Sequence, residues 1–243
     1  MAFYLIGLGL TEKGLSVEAS EKLKKVDVVY LENYTVDFPY KKEELEKIIG
    51  KKIVELGREK VENEGFLLDA KKKNVALLVY GDVLMATTHM SLILKCKKEK
   101  IDYEVFHSAS IFNAISETGL QMYKFGKTAS MPAWNKEKEY KPASFIEIIK
   151  DNQKIKAHSL LLTDIALSFE KALEQLKEAA KEKKLKLNEI IACSRMGTKE
   201  QRIFYDSLEN LEKRKKEIQL PFCFIIPSDL HFLEKESIES FKE

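Results

Sequence analysis

The stretch Val75-Ala-Leu-Leu-Val-Tyr80, followed at once by Gly81-Asp82-Val83-Leu84-Met85-Ala86-Thr87-Thr88-His89, constrains this chain more than any other part of it. Six apolar residues stand between a lysine-rich segment at 71–74 and a glycine. They read as a short strand buried on both faces, and such strands belong to parallel sheets covered by helices. Gly81 permits a turn or a close backbone approach. Asp82 sets a carboxylate at the strand's carboxyl end, the edge at which open α/β sheets bind ligands. A helix is predicted to begin near Thr87 or Thr88, with its first amides pointing into the same crevice. The same residues also fit an ordinary strand–turn–helix corner in which Asp82 holds a turn.

The start of the chain repeats the pattern. Phe3-Tyr4-Leu5-Ile6 runs into Gly7-Leu8-Gly9-Leu10, and a polar segment leads to Ser16. From there Val17, Ala19, Ser20, Leu23 and Val26 fall near one helical face, with lysines at 22, 24 and 25 on the other. Two glycines one residue apart allow a ligand to approach the backbone, or simply a tight turn. No third glycine completes a dinucleotide fingerprint, and no Gly-Lys-Ser/Thr completes a phosphate loop.

Composition narrows the function classes. The 243 residues suffice for one large α/β domain or two small ones, and 44% hydrophobic with 33% charged residues is a globular balance, somewhat rich in charge. Net charge is only +2, and arginine occurs at 58, 195, 202 and 214 alone. Phosphate recognition draws on bidentate arginine, so no nucleic-acid partner is expected. The abundance of lysine and glutamate fits a thermophile or a biased genome alike. Cys96, Cys193 and Cys223 lack metal-ligand spacing and read as reduced thiols, which points to an intracellular, cytoplasmic protein. The apolar opening has no basic leader or cleavage site, so no signal peptide is expected. No apolar run approaches the roughly 20 residues of a membrane span, so no membrane association is expected either.

Over the first hundred residues strand and helix signals alternate: strands at 3–8, 27–32, 52–56, 75–80 and 103–107, helices at 16–25, 41–50 and 88–100. This predicts a mainly parallel sheet flanked by helices. The character then shifts. Residues 124–141, with Gly126, Pro132 and Trp134, predict a strand and an irregular loop. Helices follow at 143–152, 168–184 and near 206–216, with strands at 159–164, 189–194 and 222–227. The expected organisation is two α/β domains, 1–109 and 110–243, joined near 108–112.

Six blocks, in order along the chain, resemble the diphthine synthases, within the tetrapyrrole-methylase-like class of methyltransferases that use S-adenosylmethionine. Tyr4-Leu5-Ile6-Gly7-Leu8-Gly9-Leu10 is similar to the family's opening strand and turn, and residues 81–89 to its Gly-Asp-Pro-x-x-Ala-Thr-Thr-His loop. His107-Ser108-Ala109-Ser110-Ile111 resembles a His-x-x-Ser-Ile segment. Thr118-Gly119-Leu120 with Tyr123-Lys124-Phe125-Gly126-Lys127, the stretch from His158 to Asp164-Ile165, and Ser194-Arg195-Met196-Gly197 with Leu230-His231 complete the match. Two departures stand out. Val83 replaces the family's proline, and Ala166-Leu167-Ser168 runs into a helix where the family continues with lysine and a longer polar stretch.

The resemblance implies a tetrapyrrole-methylase-like fold with the cofactor in the inter-domain cleft, and a homodimer. It implies methylation of the amino group on a modified histidine of translation elongation factor 2, through to trimethylation, giving diphthine and S-adenosyl-L-homocysteine. Leu10, Asp82, Met85, Ser110 and Ile111 are carried over as contacts to S-adenosyl-L-methionine, and Thr163, Met196, Gly197 and Cys223 as its adenine end. Methyl transfer from a sulfonium is an in-line displacement that asks for positioning and exclusion of water. No catalytic base and no metal set is assigned, since His89, His107, His158 and His231 are not spaced as ligands. Trp134 is a candidate for the acceptor side, where an aromatic face attracts a quaternary ammonium, or else an anchor for its own loop. A corrin-ring or ribosomal-RNA methyltransferase of the same class, and a non-enzymatic module with the same fold, are the competing readings.

Overall fold

The computed structural model describes residues 1–242 except 136, 138, 139 and 166. It divides into two compact units, Met1–Asn113 and Ala114–Glu243.

The first unit runs β1 (Ala2–Gly7), α1 (Val17–Lys24), β2 (Val28–Glu32), α2 (Lys42–Ile49), β3 (Ile53–Leu56), α3 (Arg58–Glu62), β4 (Val75–Val79), α4 (Met90–Glu99) and β5 (Asp102–Phe106). All five strands are parallel, in the order β3-β2-β4-β1-β5. The central pair β4 and β1 is buried almost throughout, which is why both read as unbroken apolar runs. Alternate residues feed two cores. Phe3, Leu5, Val75, Leu77 and Val79 pack with Leu92, Ile93 and Cys96 of α4. Tyr4, Ile6, Ala76 and Leu78 pack with Ala19 and Leu23 of α1 and Leu45 of α2. Ser16 caps α1 by accepting from Ala19 N at 3.1 Å.

The helix expected from Thr87 or Thr88 begins at Met90 instead. Ala86 adopts φ +55°, and Thr87 Oγ1 accepts from His89 N at 3.0 Å, so residues 86–88 are held as a turn.

A short helix, α5 (Ile111–Ala114), leads the chain out of the first unit. The second continues with β6 (Ala129–Met131), α6 (Ser144–Lys154), β7 (Ser159–Thr163), α7 (Phe169–Glu182), β8 (Glu189–Ser194), β9 (Arg202–Ser207), α8 (Leu208–Lys213), β10 (Phe222–Ile226) and α9 (Phe232–Glu239). Its sheet is mixed, ordered β6-β7-β10-β8-β9, with only β6 and β7 parallel. One face carries a core of Phe222, Phe224 and Leu161 against Phe169, Leu173 and Leu176 of α7. The helix predicted near 206–216 shrinks to α8, because the edge strand β9 runs on through Asp206 and Ser207, paired with Ile190 and Glu189 of β8. Among the described residues no helix is long and apolar enough to cross a membrane.

Candidate active site

Three turns meet at the carboxyl edge of the parallel sheet because β1 ends in a glycine. A Cβ on Gly7 would lie 2.8 Å from Gly81 O, 3.0 Å from Ser108 Cβ and 3.2 Å from Ser108 N. Only hydrogen fits there, so the turns after β4 and β5 close over the end of the strand between them. Gly9 and Gly81, both at positive φ, exchange two backbone hydrogen bonds of 3.2 and 2.9 Å that tie the turns after β1 and β4 together.

Asp82 occupies the centre of this junction and is nearly buried. Its Oδ1 accepts from Leu84 N at 3.0 Å, a turn-holding bond within its own loop. Its Oδ2 accepts from Ser108 N at 3.1 Å and pairs with His107 Nδ1 at 2.7 Å. Asp82 therefore does hold a turn, and beyond that it joins two strands that are not neighbours in the sheet. A cavity of about 350 Å³ opens here, lined among others by Asp82, Leu84, Met85, His107 and Ser110. Of the residues carried over by resemblance, Asp82, Met85 and Ser110 thus share one cavity. Leu10 lies at the same edge, its carbonyl accepting from Tyr80 Oη at 3.1 Å, and Ile111 opens α5.

Within the second unit, Thr163, Cys223 and Met196–Gly197 gather at one end of the mixed sheet. Thr163 Oγ1 donates to Phe222 O at 3.0 Å, and Arg195 N donates to Pro221 O at 2.8 Å. Arg195 and Gly197 both take positive φ in the turn that follows β8. Met196 and Cys223 are buried, while Gly197 is exposed. Cys223 stands opposite Cys193 in the β10–β8 register, and its hydrogen bond together with burial raises the Cys193 pKa.

Residues 2–212 match the family of tetrapyrrole (corrin/porphyrin) methylases. The diphthine methyl ester synthase of Schizosaccharomyces pombe is 34% identical over 267 residues, 98% of this chain and 94% of that protein. The diphthine synthase of Archaeoglobus fulgidus is 34% identical over 245 residues, again covering 98% and 94%. A crystal structure of diphthine synthase superposes with a TM-score of 0.88 at 32% identity, covering 100% of this chain and 96% of that one. The chain belongs to the diphthine synthase family of tetrapyrrole methylases. It is a methyltransferase of that diphthamide-biosynthesis family.

Not every family-like block of this methyltransferase faces the cavity. His89 is buried, with Nδ1 donating to Val83 O at 3.2 Å and Nε2 left without a hydrogen-bond partner, 3.8 Å from Glu32 Oε2. Burial lowers its pKa. Lys124, His158 and His231 meet at Glu234, a fully buried carboxylate. Glu234 Oε1 accepts from Gln121 N at 2.9 Å and His158 Nε2 at 3.1 Å; Oε2 accepts from His231 N at 2.8 Å and Lys124 Nζ at 2.5 Å. Burial alone would raise the Glu234 pKa, yet these donors hold it at about 2. Burial lowers that of His158, against the pull of Glu234. Among the described residues no group of three or more His, Cys, Asp or Glu side chains is placed to hold a metal.

Two features escape sequence reasoning. The His107–Asp82 contact is invisible in a block match, although both blocks are recognised. Glu234 has one local signal, the His231-x-x-Glu234 spacing of a capping box at the start of α9. Trp134 turns out to be tied to its own loop. Its Nε1 donates to Pro142 O at 3.0 Å, its N to Gln175 Oε1 at 2.9 Å, and Lys141 Nζ covers its ring at 5.4 Å. Lys136, Lys138 and Glu139 of the same loop, and Ala166 of the shortened segment before α7, lie outside the described residues.

Proposed function

We propose that this methyltransferase uses S-adenosylmethionine to methylate the amino group of a modified histidine on translation elongation factor 2, carrying it to the trimethylated product diphthine. The observation that carries the reading is the Asp82-centred cavity at the carboxyl edge of the parallel sheet, in a chain 34% identical to a diphthine synthase over 98% of its length. The residues suit the cofactor. A nearly buried carboxylate and the Leu10 carbonyl are acceptors for an ammonium or ribose hydroxyls, and Leu84 and Met85 give an apolar wall for alkyl groups on sulfur.

Leu10, Asp82, Met85, Ser110 and Ile111 are proposed to hold the methionine and ribose portion. Thr163, Met196, Gly197 and Cys223 are proposed for the adenine, with Cys223 supplying packing rather than an accessible thiol. When bound, S-adenosylmethionine supplies an electrophilic methyl group and leaves as S-adenosylhomocysteine. The chain's own part is to orient the acceptor amine and exclude water. A cytoplasmic homodimer acting on a protein substrate completes the proposal, supported by the family resemblance.

A second reading is favoured by the name of the S. pombe relative, a diphthine methyl ester synthase. Three transfers exhaust a primary amine; an ester needs one more, on a carboxylate oxygen. Methyl incorporation into elongation factor 2 bearing the unmethylated precursor, read by mass spectrometry before and after mild alkali, tests both. Three alkali-stable methyl groups support the first reading, and a further alkali-labile one supports the second. Absence of transfer to this protein, with transfer to a corrin or to ribosomal RNA, overturns both. Calorimetry with S-adenosylmethionine tests the cofactor independently.

A further inference from the structure

We propose that His107, positioned by Asp82, is the proton acceptor for the amine that this enzyme methylates, an inference that rests on the N-methylation reading above. Asp82 Oδ2 also receives Ser108 N, so it lies within the loop framework and acts only as an acceptor. A carboxylate oxygen 2.7 Å from His107 Nδ1 fixes the proton on Nδ1. The lone pair is then on Nε2. The ring is 64% exposed, and no described residue hydrogen-bonds to Nε2.

His107 also stands between two cavities of different character. On one side is the cavity of Asp82, Leu84 and Met85, proposed above for the methyl donor. On the other is a second cavity of about 490 Å³, lined by Ser16, Glu18, Glu104, Val105 and Phe106. Among the described residues His107 alone lines both. Asp82 from the β4 turn is bonded to its ring, and Glu18 from α1 and Glu104 from β5 line the second cavity with it, Glu104 paired with Lys22 of α1 at 2.8 Å. Two glutamates against one lysine suit a cationic acceptor, which an amine at neutral pH is.

An ammonium has no lone pair to attack with. Its N–H bond must break first, leaving the electron pair on nitrogen while the proton passes to Nε2. The nitrogen pair then forms the bond to the methyl carbon as the donor's carbon–sulfur bond breaks and that pair stays on sulfur. The imidazolium returns its Nε2 proton to water before the next transfer, while the other proton stays on Nδ1, donated to Asp82. Trimethylation of a primary ammonium repeats this loss three times, so a resident base serves every round.

The test compares the parent with His107→Ala, His107→Asn and Asp82→Asn, and the exposure of the imidazole keeps folding of the His107 variants out of question. Single-turnover methylation across a pH series is paired with calorimetry of S-adenosylmethionine binding. The His107 variants are expected to fall roughly 100-fold or more at neutral pH, with donor affinity unchanged and the gap closing toward alkaline pH as the amine deprotonates unaided. Added imidazole should restore His107→Ala, with faster rescue by more basic azoles. Independently of activity, nitrogen-15 NMR should show the Nδ1–H tautomer in the parent and its loss in Asp82→Asn. The proposal is overturned by parent-like rates in the His107 variants, by a loss explained by weaker donor binding without azole rescue, or by an Nε2–H tautomer in the parent. A parent that methylates no amine overturns the underlying reading instead, a result distinct from all three.

Discussion

Each unit of this protein contains a hydrogen-bonded carboxylate–histidine pair, and the two differ in what is left over. Glu234 takes four donors, while His158 donates from Nε2 and accepts Ser228 N on Nδ1 at 2.9 Å. Every polar atom of that pair is used and both side chains are fully buried. Asp82 is equally well held, but its histidine has one nitrogen committed and the other open at the junction of two cavities. The same two functional groups make a staple in one place and a reactive pair in the other. What separates them is spare hydrogen-bonding capacity next to open space; Asp82, His107 and His158 lie in blocks that resemble the family, and Glu234 does not.

The largest difference between the pairs should be in stability. Glu234→Ala leaves the buried His158 Nε2–H and two backbone N–H groups without their acceptor, and the Lys124 ammonium with only Asp229 O. Breaking a buried ionic network in this way costs about 3–5 kcal/mol. Urea unfolding checks it, and a loss below about 1 kcal/mol would mean that water replaces the carboxylate easily. Lys124→Met should cost less than Glu234→Ala: it also strands a charge, the buried carboxylate, but three N–H donors remain on it.

Acid should dissect the staple in two steps, and the signs are opposite in origin. Burial holds the His158 pKa below its usual value of about 6.5. The unfolded chain therefore takes up that proton first, and stability starts to fall as pH drops below about 6.5. Glu234 is held at about 2, below the usual carboxylate value of about 4.3. Its contribution is fully present above that value and is lost as pH falls toward about 2. Unfolding midpoints should decline through both windows in the parent, and His158→Asn should flatten the upper one, with His89 as the remaining buried imidazole. A midpoint constant from neutral pH down to the carboxylate range would break the account of the upper step.

How much of this was legible beforehand depended on which physical signal each element carries. Strands buried on both faces announce themselves: β8 spans Glu189–Ser194, the predicted range, β4 ends one residue early, and β1 is shifted by one residue at both ends. The edge strand β9 did not, because its half-exposed pattern runs directly into α8 and the joint signal resembles one helix. α9 buries only Glu234 and Ile238, too narrow a stripe for periodicity to detect. Of the site, the glycines and Asp82 were readable as turn and carboxylate. The Asp82–His107 contact was not, because it spans the end of β1 and exists only through the sheet order β4-β1-β5 and the missing Cβ of Gly7. Order in a sheet is a tertiary fact that local pattern does not carry.

Asp82→Asn sharpens the comparison from the other side. Asparagine keeps an oxygen for Leu84 N or for Ser108 N but weakens the charge-assisted bond to a largely exposed imidazole, where solvent screens the pair. The expected stability loss is about 1 kcal/mol, well under that of Glu234→Ala, whereas the effect on methylation should be far larger. If the order of the two stability losses were reversed, the division into staple and reactive pair would fail.

The smallest effect is expected at Trp134, where sequence reasoning left an acceptor role open. Its indole N–H is used by Pro142 O, its backbone by Gln175, and one face of its ring by Lys141. A ring already covered by a cation of its own loop offers little to a methylated ammonium, and the partly buried indole packs against the core of the second unit. Trp134→Leu should therefore lower stability by about 1 kcal/mol, from the lost hydrogen bond and a modest loss of packing. The ratio of mono-, di- and trimethylated product should match the parent's at equal turnover. Accumulation of the mono- and dimethyl species in a variant of near-parent stability would instead place the indole face at the acceptor, and would require Lys141 to vacate it during the reaction.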